Sequence, residues 1–348
     1  MQNVLENTAD AAAMPQQHPR LVSRIFRDYR NNFGLFWKVM LPLIIVNLLF
    51  YMGIFLFAKS MSPEGQWTIS TEGSIAAYTS SSQSVQPIGV AWGTRLGFSI
   101  THISFLWLAM CPLIFTIVQR RNGIDTTFKT VWQQTLRKTV PILGATFLIG
   151  IVVLGVPTIF GFLAFEFFFR ELAASNAGPL IFLFVFIGVV WSLFAINYIV
   201  KWSLYNQGIM IENLSAIGAL RRSSELVGGG TWWRLFGIYL LLTLVSTVVT
   251  SLLLGLTMAF LSFAAPEFIP MREVLLPGRF ISLLFFGYAK ITLENVPTLW
   301  TVGVIIGVYT LISAALTLVW AILTTHLYTE RQNEWAKMHN RFQPNLIS

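Results

Sequence analysis

Six stretches of the chain are apolar for long enough to cross a bilayer, at about residues 35–57, 97–118, 140–162, 179–200, 235–261 and 302–323. Lys38, near the start of the first, is the one Asp, Glu, Lys or Arg that they contain. A helix needs about 20 mainly apolar residues to traverse a hydrocarbon core of roughly 30 Å. Within lipid every backbone polar group must be bonded internally, so only helices and closed barrels can span. Unbroken apolar runs of this length predict helices, because barrel strands are short and alternate in polarity. The expected fold is therefore an all-α integral membrane bundle of six spans. Composition agrees: hydrophobic residues are 55% of the chain and charged ones 11%, against roughly a quarter charged in soluble domains. That excludes a soluble enzyme, a disordered tail protein and a secreted disulfide scaffold. Cys111, the single cysteine, can form neither an internal disulfide nor a zinc site.

Six spans put both termini on one side, and the basic residues say which. Seventeen of the 23 Lys and Arg fall in the N-terminal segment, the second and fourth connections and the C-tail. With acids counted, that side nets +9 and the other −1. The positive-inside rule then places both termini in the cytoplasm, and the basic excess reads as attraction to anionic headgroups. No nucleic-acid signature accompanies it, so nucleic acid is not an expected partner. Residues 1–19 are polar and carry no signal-peptide pattern; they read as a flexible cytoplasmic tail, and residues 329–348 read as a cytoplasmic tail.

Short amphipathic segments precede spans one, three and five. In the first, Arg20, Arg24, Arg27 and Arg30 oppose Leu21, Val22, Ile25, Phe26, Tyr29 and Phe33 on a helical wheel. Residues 126–137 and 214–227 repeat the pattern, with Phe128, Val131, Trp132 and Leu136, then Ala216, Ala219, Leu220 and Val227, on the apolar side. Three cytoplasmic surface helices are the expectation. The following spans begin about 100 residues apart, which fits three copies of one unit; any amphipathic linker beside a membrane would look similar.

The fourth connection is the most distinctive. Residues 201–213 read KWSLYNQGIMIEN, 219–227 read ALRRSSELV, and 228–234 read GGGTWWR, running straight into span five. After span six, residues 324–332 read TTHLYTERQ. These stretches resemble the membrane domain of the glycerophosphodiester phosphodiesterase membrane-domain family and its multi-span bacterial relatives. That family shows a Glu-Asn-like pair, an Ala-x-x-Arg-Ser helix, a Gly-(Asn/Thr)-Trp-Trp-Arg start to a span and a Leu-Tyr-x-(Asp/Glu)-x-Arg exit. Here Ile209-Met210 replaces the family's proline, and Arg331 follows Glu330 directly. The resemblance implies a multi-pass protein of the bacterial cytoplasmic membrane. It does not bring phosphodiesterase activity, since the catalytic barrel of that family has no counterpart in the tails.

Glu212 with Arg221 and Arg222 fits an ion-pair latch on the end of span four, or a clamp on a lipid phosphate. The more economical alternative starts a helix at Glu212-Asn213 and leaves both arginines facing water. Trp232, Trp233 and Arg234 complete the candidate lipid- or partner-binding set. Gly228-Gly229-Gly230 reads as a C-cap and hinge. Gly303 and Gly307 form a GxxxG whose default role is close packing within the chain. Gly144, Gly150, Gly155 and Gly161 line span three with a kink at Pro157, and Glu166 with Arg170 fits a helix ion pair. Residues 59–95 read as an exposed outer loop and 279–293 as an outer-leaflet or re-entrant segment. His18, His102, His326 and His339 are scattered and read as structural or solvated. No catalytic, metal or cofactor set emerges. The functional expectation is a non-catalytic scaffold or accessory protein that binds membrane lipids or other membrane proteins. The alternative is a transporter or channel for a neutral or amphipathic solute.

Overall fold

The computed structural model of the chain describes residues 21–61, 66–70, 75–78, 108–155, 178–228, 230–276, 290–293 and 298–342. It is predominantly helical. Helix α1 spans Leu21–Met61, α2 covers residues 108–121, α3 spans Phe128–Arg137 and α4 spans Thr139–Gly150, followed by a π-helical turn at Ile151–Gly155. Next come α5 at Gly178–Trp202, α6 at Tyr205–Ile211 and α7 at Ala216–Leu226. Helix α8 runs from Thr231 to Ala264 into a 3-10 segment, Pro266–Leu275, and α9 occupies Leu299–Phe342.

Among the described residues, four helices are long and apolar enough to cross a membrane: Ile25–Gly53, Phe186–Ile211, Thr231–Ala264 and Leu299–Lys337. A fifth arises if Phe128–Arg137 and Thr139–Val153, bent by 55°, count as one broken span. These helices carry spans one, four, five and six of the sequence reading and the start of span three. Of span two only residues 108–118 are described; residues 97–107, and 156–162 of span three with Pro157 and Gly161, lie outside the described residues, as do Glu166, Arg170 and residues 1–19. On α5 and α8 the large apolar side chains face outward: Phe182, Leu193, Leu241 and Phe260 are all 64–74% exposed. Covering such surface is worth roughly 25 cal/mol per Å², so these faces call for lipid. Inside, Phe36, Val39, Leu113, Ile117, Leu318 and Ile322 join α1, α2 and α9, and Cys111, Ile142, Tyr205, Ile209 and Ala219 join α2, α4, α6 and α7.

Several expectations are corrected. The first amphipathic segment is no separate surface helix, because α1 continues without a break from Leu21 through the span. The second and third are separate. Thr127 caps α3 by accepting from the Thr130 amide, while Thr130 Oγ1 accepts from the Thr127 amide. Ser215 caps α7 by accepting from the Gly218 amide. Residues 329–342 of the expected C-terminal tail are helical and continue α9. The fold is also not purely α. Residues Gln66–Ser70 (β1), Ile75–Tyr78 (β2) and Lys290–Leu293 (β3) form an antiparallel sheet in the order β2-β1-β3. Thr68 pairs with Ala76 on one side and Thr292 on the other. Part of the expected outer loop and the end of the expected re-entrant segment are thus strands; residues 279–289 lie outside the described residues. Sequence alternation was too short in each piece to announce a sheet whose strands are far apart in the chain.

The glycines are corrected too. A Cβ at Gly303 or Gly307 would meet nothing within 4 Å, because Val302, Ile305 and Ile306 are the side chains α9 turns toward its neighbours. Gly228 does not cap α7; that position belongs to Val227, and α8 starts from Gly230 with an ordinary right-handed φ of −63°. Close approach occurs at Gly208 instead, where a Cβ would lie 3.5 Å from Ala219 and 3.6 Å from Leu214. Those are ordinary van der Waals distances. Gly208→Ala should therefore keep the α6–α7 contact and raise stability by up to about 1 kcal/mol through helix propensity, whereas Gly208→Phe should overpack it. Thermal unfolding of the two variants in detergent checks both.

Candidate functional site

Asp28 of α1, Glu212 at the end of α6, Arg222 of α7 and Arg234 of α8 all reach the C-terminal part of α9. At the centre of these contacts stands Glu212. This residue caps the C-terminus of α6, so the helix-start alternative is wrong: Asn213 adopts a left-handed φ of 57° and the next helix begins three residues later. The Glu212 carboxylate accepts from Tyr328 Oη at 2.5 Å and Gln332 Nε2 at 3.1 Å, both on α9. Arg222 Nε lies 3.2 Å from Glu212 Oε2, and the Arg222 guanidinium also stacks over the Trp335 ring at 4.3 Å. With side chains only 20% and 15% exposed, Glu212 and Arg222 are internal. Arg221 is the opposite case: it pairs with Glu225 at 3.2 Å and is 83% exposed. The two neighbouring arginines therefore have different jobs, one structural and one facing outward.

A second junction joins α1, α2 and α9. His326 Nε2 and Arg121 Nη2 lie 3.0 Å and 3.1 Å from the same oxygen, Asp28 Oδ2. Asp28 and His326 are 298 positions apart. A third contact runs from Arg234 Nη2 to Glu330 Oε1 at 3.0 Å. Beside it, Trp232 stacks on Phe236 at 5.1 Å and donates weakly to the Asn197 carbonyl at 3.5 Å. Trp233 packs edge-on against Trp232 but is itself exposed. Arg27 and Arg30 are exposed on α1; Arg20 and the side chain of Arg24 lie outside the described residues.

Sequence reasoning paired Glu212 with Arg222 but named Arg234 without Glu330; it read His326 as structural or solvated and gave Asp28 and Tyr328 no role. A signal for Asp28 existed: it is the one acid among the four arginines of its segment. Among the described residues no group of three His, Cys, Asp or Glu is placed to hold a metal ion.

Residues 42–331 match the family described as a domain of unknown function, DUF7847. The chain belongs to this family. No curated protein and no solved structure matches it. The DUF7847 region begins at Pro42 in α1 and ends at Arg331 in α9. It encloses Glu212, Arg222, Tyr328, Arg234 and Glu330, so that most of the Glu212 junction lies within the family's own boundaries. Asp28, Gln332 and Trp335 lie just outside them.

Proposed function

We propose that this DUF7847 protein is a non-catalytic membrane scaffold whose basic end binds anionic lipid headgroups, with other membrane proteins as a second class of partner. One observation carries the reading. At the basic end, exposed apolar side chains alternate with exposed cations: Phe26 and Phe33 with Arg27 and Arg30, Phe128 and Leu136 with Lys129 and Arg137, Ile217 with Arg221. Apolar groups that insert beside cations that meet phosphate are the chemistry of an interfacial surface. On this reading α3 and α7 lie against the cytoplasmic leaflet and the first turns of α1 pass through its headgroup layer, with the chain in the bacterial cytoplasmic membrane and both termini inside. The resemblance to the phosphodiesterase membrane domain points the same way, because such a domain holds its protein in lipid without doing chemistry.

The geometry refines which residues should touch lipid. Arg222 is already engaged by Glu212 and Trp335, which supports the latch over the phosphate clamp. The expected result is that Arg27→Glu/Arg30→Glu/Lys129→Glu/Arg137→Glu loses most co-purifying anionic lipid, read by mass spectrometry, while unfolding temperature in detergent holds. Equal lipid retention in wild type and the quadruple variant would sink the proposal.

A second reading, passage of a neutral or amphipathic solute, draws on one observation. Thr310, Thr317 and Thr324 recur every seventh residue of α9 and all are buried. That places a polar line along one face of the longest helix. Solute uptake into proteoliposomes tests it.

A further inference from the structure

Through its middle, α8 turns Leu240, Leu241, Leu244, Val245 and Leu253 outward, and lipid tails are all that such an aliphatic face requires. One face of α5 is different. Trp191, Phe194, Tyr198 and Trp202 fall within about 80° of one another on the helical wheel. Their rings form an unbroken row, with successive centroids 5.0, 4.5 and 4.7 Å apart. At 1.5 Å per residue the row is about 16 Å long, half of a hydrocarbon core of roughly 30 Å. It therefore matches the acyl depth of one leaflet.

A cation stands at the Trp202 end of the row. Lys201 Nζ lies 5.9 Å from the centroid of the Tyr198 ring, so the ammonium is drawn back along the helix toward the rings, and the residue is half-buried. The backbone beneath it is fixed, because Ser223 Oγ of α7 donates to the Lys201 carbonyl at 2.7 Å. No carboxylate of the chain serves this ammonium. Among the described residues of the basic end, Asp28, Asp125, Glu212, Glu225, Glu330 and Glu334 are all paired with other cations. The C-terminus of α5 contributes only about half a unit of negative charge. A cation in open water needs no partner, but one held against rings at the edge of the apolar layer does.

We propose that this face of α5 binds one acidic phospholipid of the cytoplasmic leaflet, with its phosphate on Lys201 and an acyl chain laid along the aromatic row. The proposal rests on the membrane placement given above and names a defined site within it, separate from the exposed cations of α1, α3 and α7. The phosphate completes the charge at Lys201, and the rings give a large contact area at low conformational-entropy cost.

The test is native mass spectrometry of the full-length protein in detergent with dioleoylphosphatidylglycerol added, and dioleoylphosphatidylcholine as the net-neutral control. One phosphatidylglycerol should bind about tenfold more tightly than the phosphatidylcholine does. Lys201→Gln should abolish that preference and Lys201→Arg should keep it. The quadruple variant of the surface cations should retain this one adduct while losing the others. If the quadruple variant loses lipid and Lys201→Gln keeps its preference, the site on α5 is wrong and the broader lipid reading stands; if neither variant loses lipid, both fall. A photoreactive phosphatidylglycerol checks the wild-type protein directly, and should label residues 191–202 several-fold more than residues 240–253 of α8. Equal labelling, or a dimer of the chain that covers this face in place of the lipid, overturns the proposal.

Discussion

Glu212→Leu is expected to destabilise the detergent-solubilised protein by about 3 kcal/mol, the largest single effect forecast for the basic end. The carboxylate is the common acceptor for Tyr328, Gln332 and Arg222. Its removal strands three donors at once, one of them on the fully buried Tyr328. The partial exposure of Glu212 and Arg222 keeps the cost at the lower end of the range for buried pairs. Glu212→Gln retains an acceptor and loses only the charge, so about half the effect should remain. Arg221→Leu, at an exposed pair, should stay within about 0.5 kcal/mol. In a double-mutant cycle, Glu212→Leu with Arg222→Met should cost less than the two singles together by about 1 kcal/mol. Thermal unfolding followed by tryptophan fluorescence reads these values. Equal shifts for Glu212→Leu and Arg221→Leu would remove the latch from the account.

Asp28→Leu is the next largest, at about 2 kcal/mol. Both His326 and Arg121 address the same Asp28 oxygen, so its loss leaves a guanidinium and an imidazole facing each other. Asp28→Asn keeps a carbonyl acceptor and should cost about 1 kcal/mol. The effect should also be local. Residues 21–34 form the N-terminal end of α1, and this junction fastens that end to α2 and α9. Hydrogen exchange in Asp28→Leu should accelerate there first, while the core around Leu254 and Met258 stays protected. Uniform acceleration would show that the junction serves the whole bundle instead.

The long helices were legible in the sequence because lipid imposes one rule on every residue of a span. Their interruptions were less so. The break at Ser203 and Leu204 costs no charge and no proline, and its compensation comes from Ser223, 19 positions away. The same distance problem hid the site. The motifs at 201–234 and 324–332 were both recognisable, yet nothing in either shows that Glu212 and Tyr328, 116 positions apart, share a hydrogen bond. The amphipathic pattern misled at α1, since a basic face opposite an aromatic face describes a surface helix and the first turns of a long span equally well. Gly303 and Gly307 misled for a similar reason: their spacing allows close packing but does not say which face of α9 meets a neighbour.

The small sheet has a mechanical consequence. Strand β1 follows α1 and β3 precedes α9, and they pair from Trp67–Leu293 to Ser70–Lys290. At the opposite extremity Asp28 and His326 fasten the same two helices together. The first and last helices are thus pinned at both extremities, like the two rails of a ladder. A piston stroke of one rail by a helical turn, about 5.4 Å, would shear both fastenings at once.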